Sequence, residues 1–583
     1  MNWVNRRRAS SVASVPFIVT TLLLLACSPA NPVPGPVNPA QPATRTAPKV
    51  LQIATQDEYA YLIEYGRVAS TSPAPERFYY FHANLTVFDL QGNPVAHAAQ
   101  KLPSIQDGDW KLNPDGTMEV TWKLRPNVLW QDGTPLTADD FVFGYEVAMD
   151  PKLVVPGGTD SLKAIVGVRA ADPNTLVVNW RSNWMYGNVN NHDGIPAIPK
   201  HLIEPLYRSS DAVAFESSQA WRAEFVGLGP FRITEWALGS GIKAEAFDKF
   251  FLGRPKIDRI EINWMPIDVL VSRTLAGAVD LIPVDAHAKP NQLVEIRQQK
   301  GANWGTGFSD YSLIRALKFN LREGAPWATD LRFRQAIAYS MDRPALIEAA
   351  GGDVSAVTYF TLFPEDPVLR LAEQRGLQKY QYDPARGQQL FADAGWTKGP
   401  DGILRNSAGP VGPFYCCRYA TTGSENIRES LIWVDAFKKA GLDAQHPVPA
   451  LPAGLAGTDL RKAGNFNWGG QITNWNMTVG SHFLSVATDQ MPNDTNRWTG
   501  INTGGYTNPL YDKLVAERFA AVPVAERQEK EVQLVKIIAD DLPVIPTYYN
   551  PSVIFAREGV TGVARGAVLN TAFQVNIHEW DIK

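Results

Sequence analysis

The stretch Val120-Thr-Trp-Lys-Leu-Arg125, followed by Trp130-Gln-Asp-Gly-Thr-Pro-Leu-Thr-Ala-Asp-Asp140, carries a strand, a turn and a capped helix in close succession. Met118, Val120, Trp122 and Leu124 alternate with polar neighbours, the period of a half-buried strand, and the turn Asn113-Pro-Asp-Gly116 precedes them. Gly133 and Pro135 make the next turn. Thr137-Ala-Asp-Asp140 then reads as a capping box opening a helix through Phe141, Tyr145 and Ala148.

The same alternation of element types continues outward. Asp330 is placed to cap a helix in which Phe333, Ile337 and Met341 recur every four residues. Asp383-Pro384 opens another, with Leu390, Phe391 and Ala394 inside and Gly395 at its end. Val532, Val535, Ile538 and Ala539 form one helical face, Asp541-Leu542-Pro543 stops that helix, and Val544 to Tyr549 reads as a strand. Strands mixed with helices imply an α/β body rather than a sandwich or a bundle.

The chain has 583 residues, enough for roughly three to four domain-sized units. Its 45% hydrophobic and 20% charged residues are those of a globular protein with several cores. A net charge of −4, with no strongly basic stretch, excludes a nucleic-acid partner. The 17 Trp offer flat apolar surface with an N–H for polar ligands.

Arg6, Arg7 and Arg8 precede an apolar run from about Val15 to Ala26. A positive segment followed by a short apolar one is a secretory signal, too short to span a membrane comfortably. It ends in Leu24-Leu25-Ala26-Cys27, which resembles the bacterial lipobox, so residues 1–27 are expected to be a lipoprotein signal with Cys27 as the lipidated residue. Acyl chains on one residue anchor a protein by burying methylenes, at about 0.8 kcal/mol each. Residues 28–48 are rich in proline and are expected to be an extended tether of about 3.1 Å per residue.

The block at 120–140 is similar to a signature of the extracellular solute-binding proteins, family 5, the dipeptide-, oligopeptide- and nickel-binding components of ABC importers. The resemblance continues at Gly227-Leu-Gly-Pro-Phe-Arg-Ile-Thr-Glu-Trp236, Gly253-Arg-Pro-Lys-Ile-Asp-Arg-Ile260, Phe319-Asn-Leu-Arg322, residues 330–343, Tyr382-Asp-Pro384, Asn508-Pro-Leu-Tyr-Asp-Lys-Leu514 and Asp541-Leu-Pro-Val-Ile-Pro546, in the family's order. It implies a two-lobed periplasmic-binding-protein fold of type II with an extra subdomain in the first lobe. The expected boundaries are 49–85, 226–316 and 523–583 for lobe I, 86–225 for the extra subdomain, and 317–522 for lobe II. The motif residues themselves read as structural: Gly227 and Gly229, for instance, permit a tight entry into a strand.

In peptide-binding members of the family, lobe II carries a segment of the form Gly-Asp-Phe-Asp…Trp…Asp-Tyr, in which an acid receives the peptide's α-ammonium. Here it resembles Gly464-Asn-Phe-Asn-Trp-Gly-Gly-Gln-Ile-Thr-Asn-Trp-Asn476, with Asn467 and Asn474 in place of acids and no acid from 463 to 488. A buried ammonium needs an anionic partner. Trp468, Asn474, Trp475 and Asn476 are therefore candidate ligand contacts better suited to a neutral polar solute, while burial in the core is the competing role for each Trp. Cys416, Cys417 and Tyr419 stand where the family runs a strand toward the cleft and join the candidates. Neighbouring side chains on a strand point to opposite faces, so the two cysteines are expected as separate buried thiols rather than a vicinal disulfide. The family's first-lobe Ser-Leu-Asp-Pro is replaced by Gln56-Asp-Glu-Tyr59, leaving Asp57, Glu58 and, further on, Asp489 as other acids for a ligand ammonium.

None of the eight histidines falls at helical metal-ligand spacing, and no H-E-x-x-H, G-x-S-x-G or G-x-x-x-x-G-K occurs. No metal, cofactor or catalytic residue is expected, and the chain is read as a binder rather than an enzyme. The expectation is a monomeric lipoprotein facing the periplasm or the cell exterior. It would capture a peptide, or alternatively an oligosaccharide or another neutral polar solute, and deliver it to an ABC permease and ATPase. A surface receptor or sensory lipoprotein without a transporter is the alternative of another class.

Overall fold

A computed structural model describes residues 47–583, apart from 57, 60–61, 63–74, 90–92, 154–159, 192–193, 284–285, 287, 289, 302–303, 311–312, 323, 351, 353, 365, 417–423, 447–448, 456, 477–481, 551 and 564–572. Cys27 and nearly all of the proline-rich segment lie outside the described residues, and Pro48–Lys583 form one body.

The strand that opens the signature block is Met118–Lys123, and its even-numbered side chains are buried. It pairs with Trp110–Leu112 on one side and with Thr175–Trp180, backed by Ile165–Asp172, on the other, making a four-stranded antiparallel sheet. The helix Ala138–Ala148 follows, with Asp140 reaching back to the Thr137 N–H at 2.8 Å. The second oxygen of Asp140 accepts the Lys200 N–H at 2.9 Å. Burial raises the Asp140 pKa, and the N–H donors around it oppose that rise.

Gln131 explains why two separated sequence blocks belong together. Its side-chain NH2 donates to the carbonyls of Gly229 (3.1 Å) and Phe231 (2.7 Å), and its Oε1 accepts the Gly227 N–H (3.0 Å). One buried amide thus joins the extra subdomain to the first lobe with its donors and acceptor satisfied. The glycines are required by close approach: a Cβ on Gly227 would lie 2.0 Å from the Phe81 carbonyl oxygen, and one on Gly229 would lie 2.3 Å from the His82 nitrogen.

Two larger sheets organise the rest. A seven-stranded sheet runs in the order Gly305–Asp310, Ser552–Arg557, Leu281–Ile282, Val50–Thr55, Arg259–Trp264, Gly241–Ala246, Phe231–Ala237. Val50–Thr55 is parallel to Arg259–Trp264 and Leu281–Ile282, and Leu51, Ile53, Ile260, Ile262 and Leu281 are almost fully buried. A three-stranded sheet holds Leu313–Phe319 between Gly470–Asn476 and Val544–Tyr549. Around it lie Leu331–Tyr339, capped by Asp330 at the Arg332 N–H (2.9 Å), and Pro384–Asp393, capped by Asp383 at the Arg386 N–H (2.9 Å).

The lobe boundaries differ from those expected. Leu313–Phe319 lies wholly in the three-stranded sheet, so the chain changes sheets between Asp310 and Leu313 rather than after 316. The second difference is larger. Residues 524–549 do not return to the first lobe at 523: the helix Val524–Asp541 packs on Pro509–Ala520 and Pro367–Gln374, and Val544–Tyr549 pairs with Leu313–Phe319. Only from Ser552 does the chain rejoin the seven-stranded sheet. The physical reason is the apolar face Val532, Val535, Ile538 and Ala539, which is buried against the second lobe.

Candidate ligand cleft

Two segments connect the sheets, one between Asp310 and Leu313 and one between Tyr549 and Ser552. The Asn550 N–H donates to the Leu313 carbonyl at 2.8 Å, so the crossings lie side by side. In the seven-stranded sheet the crossing end is where Asp310 pairs with Ser552, and the far end is where Gly305 pairs with Arg557. Following the register through Ile282 and Phe555 to Ile53 and Leu281 shows that Val50–Thr55 and Leu281–Ile282 both end toward the crossings. Arg259–Trp264, parallel to Val50–Thr55 with Trp264 opposite Thr55, ends there too. In the other sheet Asn476 pairs with Leu313 and Tyr549 with Ile314, so Gly470–Asn476 and Val544–Tyr549 also end at the crossings. The carboxyl ends of strands from both lobes therefore meet at one level, which is where open α/β sheets place ligands.

On the first-lobe side, Gln56 donates to the Ala286 carbonyl at 2.5 Å, and Glu58 accepts the Gly239 N–H at 3.0 Å. Glu58 is exposed and adjoins Tyr59, whose ring lies 6.2 Å from Trp264; Trp264 is 6.3 Å from Trp236. Asp57 lies outside the described residues, and Asp489 is exposed on a short 3-10 turn.

On the second-lobe side, the backbone of Asn474, Trp475 and Asn476 occupies the last positions of its strand, opposite Arg315, Ile314 and Leu313. The candidates on this strand are thus brought to the crossing end; their side chains lie outside the described residues, as do Cys417 and Tyr419. Trp468 is 2% exposed, so its indole is enclosed by protein, and its carbonyl accepts from Asn320 at 3.0 Å. Phe414–Cys416 runs beside the start of the strand, with the Gly469 N–H donating to the Tyr415 carbonyl at 2.9 Å. Cys416 is fully buried and disulfide-bonded, which corrects the expectation of separate thiols. The expectation rested on strand alternation, and the strand Phe414–Tyr415 ends before Cys416, so that alternation does not govern it. The bonded partner lies outside the described residues.

A polar cluster that sequence reasoning missed sits at the same level. Arg315 Nε donates to Glu429 Oε1 at 2.8 Å, a second guanidinium nitrogen meets the other carboxylate oxygen, and the Tyr548 hydroxyl donates to Oε1. All three residues are buried. Burial by itself lowers the Arg315 pKa, but the Glu429 charge and hydrogen bonds outweigh it and the net direction is upward. Tyr548 is raised well above its usual value, first by burial and then by Glu429. No local signal points to this cluster, because its members come from two strands and from the helix Ser424–Ala440. Among the described residues no group of three or more His, Cys, Asp or Glu is placed to hold a metal ion.

Two sheets bridged by paired crossings, with strand ends facing one another, define a two-lobed binding protein of the type II periplasmic class. The sequence model for bacterial extracellular solute-binding proteins, family 5 Middle, matches residues 103–488. The chain belongs to that family, whose members are binding proteins. It is 24% identical over 465 residues to the oligopeptide-binding protein AppA of Bacillus subtilis, covering 77% of this chain and 78% of that one. Its fold is shared with NikZ from Campylobacter jejuni in complex with Ni(L-His), at a TM-score of 0.72 and 20% identity, over 92% of this chain and all (100%) of that one. The oligopeptide-binding protein of Thermus thermophilus with a pentapeptide gives 0.72 and 20%, over 91% and 96%. Among the described residues, no helix is long and apolar enough to cross a membrane.

Proposed function

We propose that the chain is the solute-capturing component of an ABC importer, binding a peptide between its lobes and passing it to a membrane permease with its ATPase. It works as a monomer, catalyses nothing itself, and is held at the membrane surface by acyl chains on Cys27. The observation that carries this reading is the convergence of strand ends from two sheets on one pair of crossings, a geometry in which hinge closure encloses a ligand. The oligopeptide ligands of the similar proteins from Bacillus subtilis and Thermus thermophilus favour a peptide.

A second reading, an oligosaccharide or another neutral polar solute, is favoured by one feature. Asn474 is in register with Arg315 in a stretch without acids, and the carboxylate described at that level, Glu429, is engaged by Arg315 and the Tyr548 hydroxyl rather than turned to an α-ammonium. The candidate contacts are Trp468, Asn474, Trp475, Asn476, Tyr419, Cys416 and Cys417. A thermal-shift screen of unblocked peptides, N-acetylated peptides and oligosaccharides separates the readings. A ligand of the folded state stabilises it by about 2.7 kcal/mol at a hundredfold excess over Kd. Stabilisation by unblocked peptides supports the first reading, whereas stabilisation by sugars alone replaces it with the second. If N-acetylation abolishes peptide binding, another carboxylate, with Glu58 foremost, receives the ammonium.

A further inference from the structure

Away from the crossings, the two halves of the body meet at a second place. Trp180, at the end of its strand, stacks on Trp184 (5.9 Å between ring centres, 14° between planes), and Trp184 stacks on Phe519 (4.4 Å, 5°). Arg518 continues the pile, with its guanidinium 5.3 Å from the Phe519 ring and 5.1 Å from Phe483, while its Nε bonds Glu531 at 2.7 Å. The neighbouring backbone is engaged too: the Met185 N–H donates to the Phe519 carbonyl at 2.7 Å. Phe519 lies in the last turn of Pro509–Ala520, where helix carbonyls lack a partner within the helix, so the other half of the molecule supplies one. Arg527, on the next helix, lies over the Tyr186 ring at 5.7 Å.

The turn that makes these contacts belongs mechanically to the first lobe. Asn84 donates to the carbonyls of Asn191 (2.7 Å) and Ile195 (3.0 Å), and the Asn190 side chain donates to Asn84 at 2.7 Å. Together with Gln131, these bonds fix the extra subdomain to the seven-stranded sheet. The helices bearing Phe519 and Arg527 pack on each other, and the second leads directly into Val544–Tyr549 of the three-stranded sheet. A rigid rotation of one sheet relative to the other, about the connections between Asp310 and Leu313 and between Tyr549 and Ser552, would separate Trp184 from Phe519 and break the Met185–Phe519 bond. Flat aromatic contact and a backbone bond have narrow geometric optima, so they reward one closure angle over its neighbours.

We infer that Trp184 and Phe519 form an interlobe latch, a positioning pair that sets how far the cleft closes, and hence ligand affinity, without touching the ligand. The inference rests on the two-lobed, hinge-closing reading but not on which solute is bound.

Hydrogen exchange by mass spectrometry on the full chain without added ligand tests it. The variants are Trp184→Ala, Phe519→Leu and Trp184→Phe. A latch predicts that Trp184→Ala and Phe519→Leu speed exchange about tenfold at the segments around Thr55, Asn476 and Asn550, remote from the substitution. The helix Leu331–Tyr339 and the strand Arg259–Ile262 should keep wild-type exchange, and Trp184→Phe, which preserves the stack, should restore the cleft segments. Faster exchange confined to 181–187 and 515–521 would show a local contact without control of closure and overturn the latch. Faster exchange everywhere would mean a purely structural role and overturn it equally. In either case peptide or sugar stabilisation in the thermal-shift screen would stand, so the two readings fail separately.

Discussion

Replacing Glu429 with Gln should destabilise the second lobe by about 3–5 kcal/mol, the cost of leaving a buried guanidinium without its counter-charge. The side chains of Arg315 and Glu429 are 10% and 8% exposed, so water cannot take over the role of the carboxylate. Gln keeps the shape and one acceptor for Tyr548, but presents an NH2 to the second Arg315 nitrogen, donor against donor. For a unit of 150–250 residues each kcal/mol moves the midpoint by roughly 2–4 °C, so a fall of about 6–20 °C is expected. Arg315→Met alone should cost a similar amount, because it strands the carboxylate. The double variant buries neither charge and should recover most of the loss, since neutral replacements of a buried pair are often tolerated. Urea unfolding of the full chain, followed by circular dichroism, gives all four corners of the cycle. A coupling energy of about 3 kcal/mol or more is expected; one below about 1 kcal/mol would refute the argument that the pair is held together by charge in a dry site.

Two further outcomes follow from other parts of the molecule. Burial, with Glu531 adding to it, pushes Asp366 up to about 6, so the folded chain keeps a proton that the unfolded chain releases near pH 4. Its contribution is therefore present below pH 4 and lost as pH rises through 6, by roughly 2–3 kcal/mol. Asp366→Asn retains the cap on the Val368 N–H, made at 2.8 Å, and should match the wild type near pH 4 yet exceed its stability at pH 7.5; equal stability at both pH values in urea titrations would contradict this. Finally, Cys27→Ala should release the protein from the membrane fraction after a high-salt wash with its thermal midpoint unchanged, whereas full retention on membranes would remove the lipid anchor from the proposal.

Local chemistry was legible in the sequence wherever a residue answers to its near neighbours. The capping box at Thr137–Asp140, the Asp330 and Asp383 caps and the strand Met118–Lys123 all formed as their spacing required, because each depends on contacts within a few residues. The stop at Asp541-Leu542-Pro543 also formed, with Leu542 in the left-handed region (φ 49°) and its side chain buried. The resemblance of the motif blocks carried the family, since those blocks include the side chains that stitch the lobes internally, Gln131 to Gly227 and Asn320 to Trp468.

What only the tertiary structure decided was membership and meeting. Val544–Tyr549 reads as a strand from its residues, but its side of the molecule depends on pairing with Leu313–Phe319, more than two hundred residues earlier; a strand's hydrogen-bonding edge carries no label for its partner. The Arg315–Glu429–Tyr548 cluster and the Trp184–Phe519 stack share that character: each residue alone is an ordinary Arg, Glu, Tyr, Trp or Phe. They acquire a role because the fold brings distant segments together and excludes water from between them.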